Sequence, residues 1–246
     1  PLERRWKVQM YRCSCGALLL QCPFFVELGE RVRELDGAFR LDDWQAIFEL
    51  SNHALWNYLL VRPMPSVFLD RVRDALVSRW PAYNEAILQI KRRVYHLAQA
   101  TLDVTGKQVF VDTRKDPMRI KFLSEIPEID LRVVHLIRDV RGAVVSFMNH
   151  RADNVVQAAF RWRIININSE RARRFVTPER WLRIRYEDVC ADPQGAVDTI
   201  ADFVGVDRVP APWDFYETIH HVVGNRMRQR EPGVGAVQRD DSWMSR

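Results

Sequence analysis

The chain has 246 residues, 47% of them hydrophobic and 28% charged, which is enough apolar material for one sizeable domain or two small ones. Its formal net charge of +5 suits anionic partners, but the positive charge is spread out and no nucleic-acid motif is present, so nucleic acid is not an expected partner. No apolar run approaches the roughly 18 residues of a membrane span; the most apolar early stretch, Gly16 to Val26, is broken by Gln21 and Pro23.

The first chemistry-bearing residues are Cys13, Cys15 and Cys22, spaced C-x-C-x6-C, with Cys190 far away. Four cysteines are not a dense disulfide framework, so a cytoplasmic location is expected. Three thiols completed by a histidine from elsewhere would suit zinc. The spacing matches no common zinc finger, so no metal site is assigned, and metal binding by these thiols stays an open alternative. Helical patterns follow. Trp44, Ile47, Phe48, Leu55 and Leu59 mark an amphipathic helix near 42–60. Ile87, Ile90, Val94, Leu97 and Thr101 step by 3 and 4 along another, which Gly106 would end.

Three strand-like runs come next: 108–113, 131–138 and 181–186. Helical patterns at about 116–125, 141–150 and 154–175 separate them. A last helix, about 193–204, has Asp192 as N-cap, Pro193 at its first position and Gly205 just past its end. Alternating strands and helices imply βαβ units and a parallel sheet. The chain after Pro210 is rich in Arg, Gly and Pro and reads as irregular.

The strand ends carry the candidate site. Arg138 closes the second run, and Ser146 lies eight residues on, within the following helix. A guanidinium fork, a hydroxyl and free N–H groups at a helix start together suit a phosphate. The alternative is that Arg138 pairs with Asp139 and Ser146 is a helix-surface hydroxyl. The first run delivers Lys115 and Asp116 to the same sheet edge. Asp116-Pro117 reads as a helix cap, and Lys115 is balanced between an active-site cation and a solvated turn. Tyr186 ends the third run, where its ring could pack on a base or cover the core. In 220–228, Gly224-Asn225 favours a turn, and Arg226 and Arg228 stand two residues apart in it. Core packing is the default for Trp162; Asn166, one turn along the same face, needs a polar partner.

Taken together, these segments resemble a bacterial-type sulfotransferase family, distantly similar to tyrosylprotein and carbohydrate sulfotransferases. The resemblance rests on segments met in order from Cys13 to Arg228. They are Cys13-Ser14-Cys15-Gly16 with Cys22-Pro23-Phe24, Val111-Asp112-Thr113-Arg114-Lys115-Asp116-Pro117, the stretch from His135 to Ser146, Trp162 with Asn166, Arg185-Tyr186-Glu187-Asp188, and His220 through Arg228. The sequence departs from the family pattern at Val140, Thr113-Arg114 and Arg226.

The resemblance implies sulfuryl transfer from 3′-phosphoadenosine 5′-phosphosulfate (PAPS) to a hydroxyl or amine acceptor, a small molecule or a glycan, with no metal in the reaction. It implies that Arg138 and Ser146 hold the donor's 3′-phosphate, that Lys115 faces the sulfuryl group, that Tyr186 lies near the adenine, and that Arg228 reaches the 3′-phosphate. The implied fold is a three-layer α/β parallel sheet of the P-loop nucleotide-hydrolase type, with 24–105 as a helical insertion in a single domain over 1–246. The family's phosphate loop, resembling Gly-x-x-Arg-Ser-Gly-Ser-Thr, is not found, and neither is its Gly-Glu segment carrying the general base. The expectation is therefore an incomplete domain that lacks its first strand. A non-catalytic nucleotide-binding or interaction remnant is the alternative.

Overall fold

The computed structural model describes residues 12–40, 50, 54–114, 116–151, 153–210 and 220. The chain forms two compact units. One comprises Pro1–Arg62, Phe68–Arg114 and Asp214–Gly235; the other comprises Pro63–Val67, Lys115–Trp213 and Ala236–Arg246.

The first unit is helical. Its elements are α1 (Pro23–Leu35), α2 (Ala54–Val61), α3 (Val67–Val77, in the unit from Phe68) and α4 (Pro81–Thr105). Proline at the first turn of α1 and α4 costs no hydrogen bond, because those N–H groups have no intrahelical partner. In α1, Phe25, Leu28, Gly29 and Val32 recur at helical spacing and form one buried face, which packs on α4. The buried residues of α4 include Ile87, Ile90 and Val94, as the periodicity predicts, and also Tyr83, while Leu97 and Thr101 are half-buried. Gly106 ends α4 with φ of 61°, a left-handed conformation that a side chain would disfavour. The core gathers Cys13, Leu19, Cys22, Phe25, Leu28, Val32, Phe39 and Ala100. Within α3, Asp70 is buried and pairs with Arg73 at 3.2 Å. Arg73 also meets Asp74 at 3.0 Å and donates to the Arg62 carbonyl, so neither buried charge lacks compensation.

The 42–60 helix is described only from Ala54, and Trp44, Ile47 and Phe48 lie outside the described residues. Leu55 and Leu59, expected on its apolar face, are exposed; among the described side chains of α2, Asn57 and Val61 are buried. Asn57 accepts a hydrogen bond from the Leu50 N–H at 2.9 Å, which fixes the polar side chain inward.

The second unit carries α5 (Pro117–Ser124), β1 (Val133–Ile137), α6 (Val140–Arg151), α7 (Val155–Ala172), β2 (Trp181–Arg185), α8 (Tyr186–Ala191) and α9 (Pro193–Val204). β1 and β2 pair in parallel, with Val133 opposite Trp181 and Ile137 opposite Arg185. The crossover between them runs through α6 and α7, since a parallel pair needs a long return. Asp116 caps α5 by accepting from the Met118 N–H at 3.1 Å, the structural role its Asp-Pro context suggests. α7 starts at a capping box between Asn154 and Gln157. α9 spans the predicted residues, with Asp192 accepting from the Gly195 N–H and Gly205 left-handed at φ of 77°. The core holds Met118, Phe122, Leu123, Ala143, Val144, Ala158, Trp181 and Ala201.

The sheet expectation needs correction. Among the described residues the sheet has two strands, not three, and 108–113 joins no ladder. Its Val109, Phe110 and Val111 are exposed. A strand is defined by its partner, so an apolar run without a neighbouring edge stays an extended segment. A sheet of two strands among the described residues does not establish the three-layer arrangement. β1 reads Val-Val-His-Leu-Ile, the near-continuous apolar run of a strand covered on both faces. In the structure His135 is buried while Val134 and Leu136, on the opposite face, are 38% and 53% exposed.

Candidate functional site

The C-terminal end of β1 is fastened on three sides. Trp162 of α7 donates its indole N–H to the Arg138 carbonyl at 3.1 Å. Glu187, in the first turn of α8, accepts from the Asp139 N–H at 2.9 Å and so ties the end of β1 to the end of β2. The Arg138 guanidinium lies over the Tyr186 ring, 4.6 Å from its centroid, a cation–π contact that sets the direction of the fork. Tyr186 is thus the first residue of α8, not the last of β2, and its ring carries the arginine.

Asp139 does not behave as a simple counter-ion for Arg138. Its carboxylate accepts from the Arg141 N–H at 2.8 Å and pairs with the Arg141 guanidinium at 2.9 Å. The hydrogen bonds from Arg141, side chain first and backbone second, hold the carboxyl down to about 2. Asp139 therefore caps the start of α6, two residues after Arg138. Ser146 is half-buried on α6. Arg138, Ser146 and Tyr186 all belong to the second unit, so three of the five site residues read from the sequence are placed by one crossover. Lys115 and Arg228 lie outside the described residues.

Behind the strand end sits a polar network that the sequence only hinted at. Asn166 donates to the Trp162 carbonyl at 2.8 Å, which supplies the polar partner it required, and its amide favours the charged form of His135. His135, buried on β1, meets Glu170 of α7 at 3.1 Å, and Arg183, opposite it on β2, also pairs with Glu170. Burial pushes the His135 imidazole below its ordinary value against the pull of the Glu170 charge. The role of Trp162 as a brace for Arg138 was missed by treating it as core. The signal available was its spacing from Asn166, which puts both polar groups on one helix face. An open groove of about 500 Å³ runs along that face, lined by Trp162, Arg163, Asn166, Ile167, Glu170 and Arg171. Arg171 is anchored at its far end by donating to the carbonyl of Pro65 at 2.9 Å.

A second cluster lies in the helical unit. Cys13, Cys15, Cys22 and His220 bring their sulfur and nitrogen ligand atoms within 4.8 Å of one another. Burial raises the Cys13 thiol, but hydrogen bonds from the Cys15 backbone and the His220 ring outweigh it and bring it down to about 6. Burial raises the Cys22 thiol. His220 is the histidine that sequence spacing could not name.

A search of curated proteins returns no match. Among solved structures, the sulfotransferase domain from the curacin biosynthetic pathway is similar, with a TM-score of 0.47 and 18% identity over 69% of this chain and 68% of that one. The model of the sulfotransferase family matches residues 35–210, which include β1, Arg138, Ser146, Trp162 and Tyr186. With well over half of its length matched, the chain belongs to the sulfotransferase family.

Proposed function

We propose that the chain binds PAPS at the end of β1 and serves transfer of its sulfuryl group to a hydroxyl or amine. The observation that carries this reading is the fixed Arg138. Its carbonyl is held by Trp162 and its guanidinium by the Tyr186 ring, so the fork is oriented before any ligand arrives. A pre-oriented guanidinium suits the two or three oxygens of a terminal phosphate, and less side-chain entropy is lost on binding. Ser146 adds a neutral donor from α6. Tyr186 flanks the nucleotide while holding the arginine.

In the reaction, an acceptor oxygen or nitrogen attacks the sulfur in line, and the bond to the 5′-phosphate oxygen breaks. Adenosine 3′,5′-bisphosphate leaves with the bonding pair, and the acceptor's proton passes to a base. Little covalent chemistry falls to the protein, so positioning and charge stabilisation do most of the work. Lys115, by its resemblance, would neutralise charge on the bridging oxygen. Arg228, on the same ground, would add a second cation to the 3′-phosphate. The groove along α7 is the candidate acceptor site, because Trp162 both lines it and braces Arg138. Its lining is mostly apolar surface bordered by Arg163, Glu170 and Arg171, which suits an acceptor that presents a carbon frame. Four free thiols among the described residues suit a reducing, cytoplasmic compartment.

Titration with adenosine 3′,5′-bisphosphate tests the donor site. Arg138→Ala should weaken binding by about 1.5–3 kcal/mol, on the order of ten- to a hundredfold. Unchanged affinity in that variant would remove Arg138 from the site. An assay of sulfuryl transfer then separates an enzyme from a nucleotide-binding remnant, which would bind without turnover.

A further inference from the structure

The residues from Arg12 to Cys22 fold into a tight thiol-bearing turn. Arg12 and Leu18 form an antiparallel bridge, and the Cys13 N–H donates to the Ala17 carbonyl at 2.9 Å. The Gly16 N–H returns to the Cys13 carbonyl at 2.9 Å, with Gly16 at φ of 88°, where a side chain would strain the backbone. This turn brings Cys13 and Cys15 to one place. A short 3₁₀ turn, Leu19–Gln21, then delivers Cys22 immediately before the first residue of α1. His220 arrives from 198 residues away, its ring stacked on Phe24 at 5.2 Å and 7°. Its Nδ1 stands 3.4 Å from the Cys13 sulfur and 3.2 Å from the Cys22 sulfur, and the Cys15 and Cys22 sulfurs are 3.6 Å apart.

We propose that Cys13, Cys15, Cys22 and His220 bind one structural zinc ion. Three of the six spacings between ligand atoms match the edges of a coordination tetrahedron, and all six lie within 4.8 Å. Bonds of about 2.3 Å to sulfur and about 2.0 Å to nitrogen give edges of about 3.8 Å between sulfurs and about 3.5 Å from sulfur to nitrogen. The three measured edges fall within a few tenths of an ångström of those values. Three thiolates with one imidazole form a soft, closed donor set, which suits zinc and leaves no position for a substrate. Simple core packing explains why Cys13 and Cys22 are buried. It does not explain why the exposed Cys15 and a histidine from the far end of the sequence aim their ligand atoms at the same point. On binding, zinc displaces the thiol protons to solvent and leaves a site with one net negative charge. The N-terminus of α1, which begins right after Cys22, favours that charge.

The ion would tie the turn at Arg12–Cys22 to His220 across a long loop of sequence. All four ligands lie outside residues 35–210, so the site is separate from the residues that establish the family.

Elemental analysis of the full chain, purified without chelator from zinc-supplemented cells, tests the site. About one zinc per chain is expected. Cys190→Ser, which alters the one cysteine outside the cluster, should keep the metal, and Cys15→Ser and His220→Gln should each lower zinc content at least tenfold. Cobalt(II) added to metal-free wild-type protein should give the visible bands of a tetrahedral, thiolate-rich site, a readout that needs no variant to fold. Metal-free chain that is folded by circular dichroism, and that takes up neither zinc nor cobalt, overturns the proposal. So does alkylation under denaturing conditions that finds only two reactive thiols, because a disulfide among the three would then explain their closeness.

Discussion

The thiol cluster of the helical unit and the strand end of the sheet unit are both convergence points, but they are assembled in different ways. At the strand end, every described group comes from one stretch of chain, from β1 through α8. Arg138, Glu187, Trp162 and Tyr186 meet because a parallel pair with a helical crossover must bring strand ends and helix starts together. In the cluster, three ligands share one turn, and the fourth is brought from the other end of the sequence. The strand end holds its geometry by a packed crossover, and an ionic ligand is extra. In the cluster, Cys13 and Cys22 sit in the apolar core and His220 stacks on Phe24, and an ion would add a fastening between His220 and the thiol-bearing turn.

That contrast predicts how each unit should fail. The largest effect is expected at Phe122, which is 2% exposed on α5 where that helix packs on α7. Phe122→Ala should cost about 3–5 kcal/mol in urea denaturation, and the cost should be the same with or without a chelator. A loss below about 1 kcal/mol would mean that apolar packing is not what holds the sheet unit.

A smaller effect is expected where the brace meets the site. Trp162→Phe keeps an aromatic side chain but loses the pyrrole part of the indole with its N–H, leaving the Arg138 carbonyl without that donor. It should cost about 1–2 kcal/mol in stability and also weaken adenosine 3′,5′-bisphosphate binding. Stability lost with affinity intact would reduce Trp162 to a core residue, as its sequence context alone suggests. Asp192→Ala is the matched control. It removes the bond to the Gly195 N–H at the start of α9 and should cost about 1 kcal/mol, with no change in nucleotide affinity.

The same contrast explains what could be read from the sequence. The limits of α9 were legible because Asp192, Pro193 and Gly205 act on the backbone within one turn. Arg138 was legible because a cation after an apolar run, followed by a helical pattern, is a local statement. The segment 108–113 was misread because its apolar residues look like a strand whether or not a partner edge exists. His220 was not nameable because nothing in a C-x-C-x6-C spacing says which of six histidines returns to it. Trp162 and Asn166 lie between these cases: their spacing marked a shared face, but only the fold shows that the face meets the Arg138 carbonyl and His135.

The smallest expected effect separates two kinds of histidine. His220 stacks on an aromatic ring with its Nδ1 among sulfurs, whereas His135 is buried on β1 between Glu170, Asn166 and Arg183. Burial lowers the His135 pKa, and the Glu170 carboxylate offsets only part of that. Below the ordinary histidine value the unfolded chain therefore takes up a proton that the folded chain resists. The contribution of His135 to stability is complete above that value and is lost as the pH falls through it toward the lower folded value. Urea midpoints from about pH 8 to about pH 5 should decline more in the wild type than in His135→Gln. Glu170→Gln should steepen the decline, because it removes the charge that helps the imidazole keep its proton. Equal slopes in the wild type and His135→Gln would mean that the network behind the strand end holds the imidazole without discriminating against its charge.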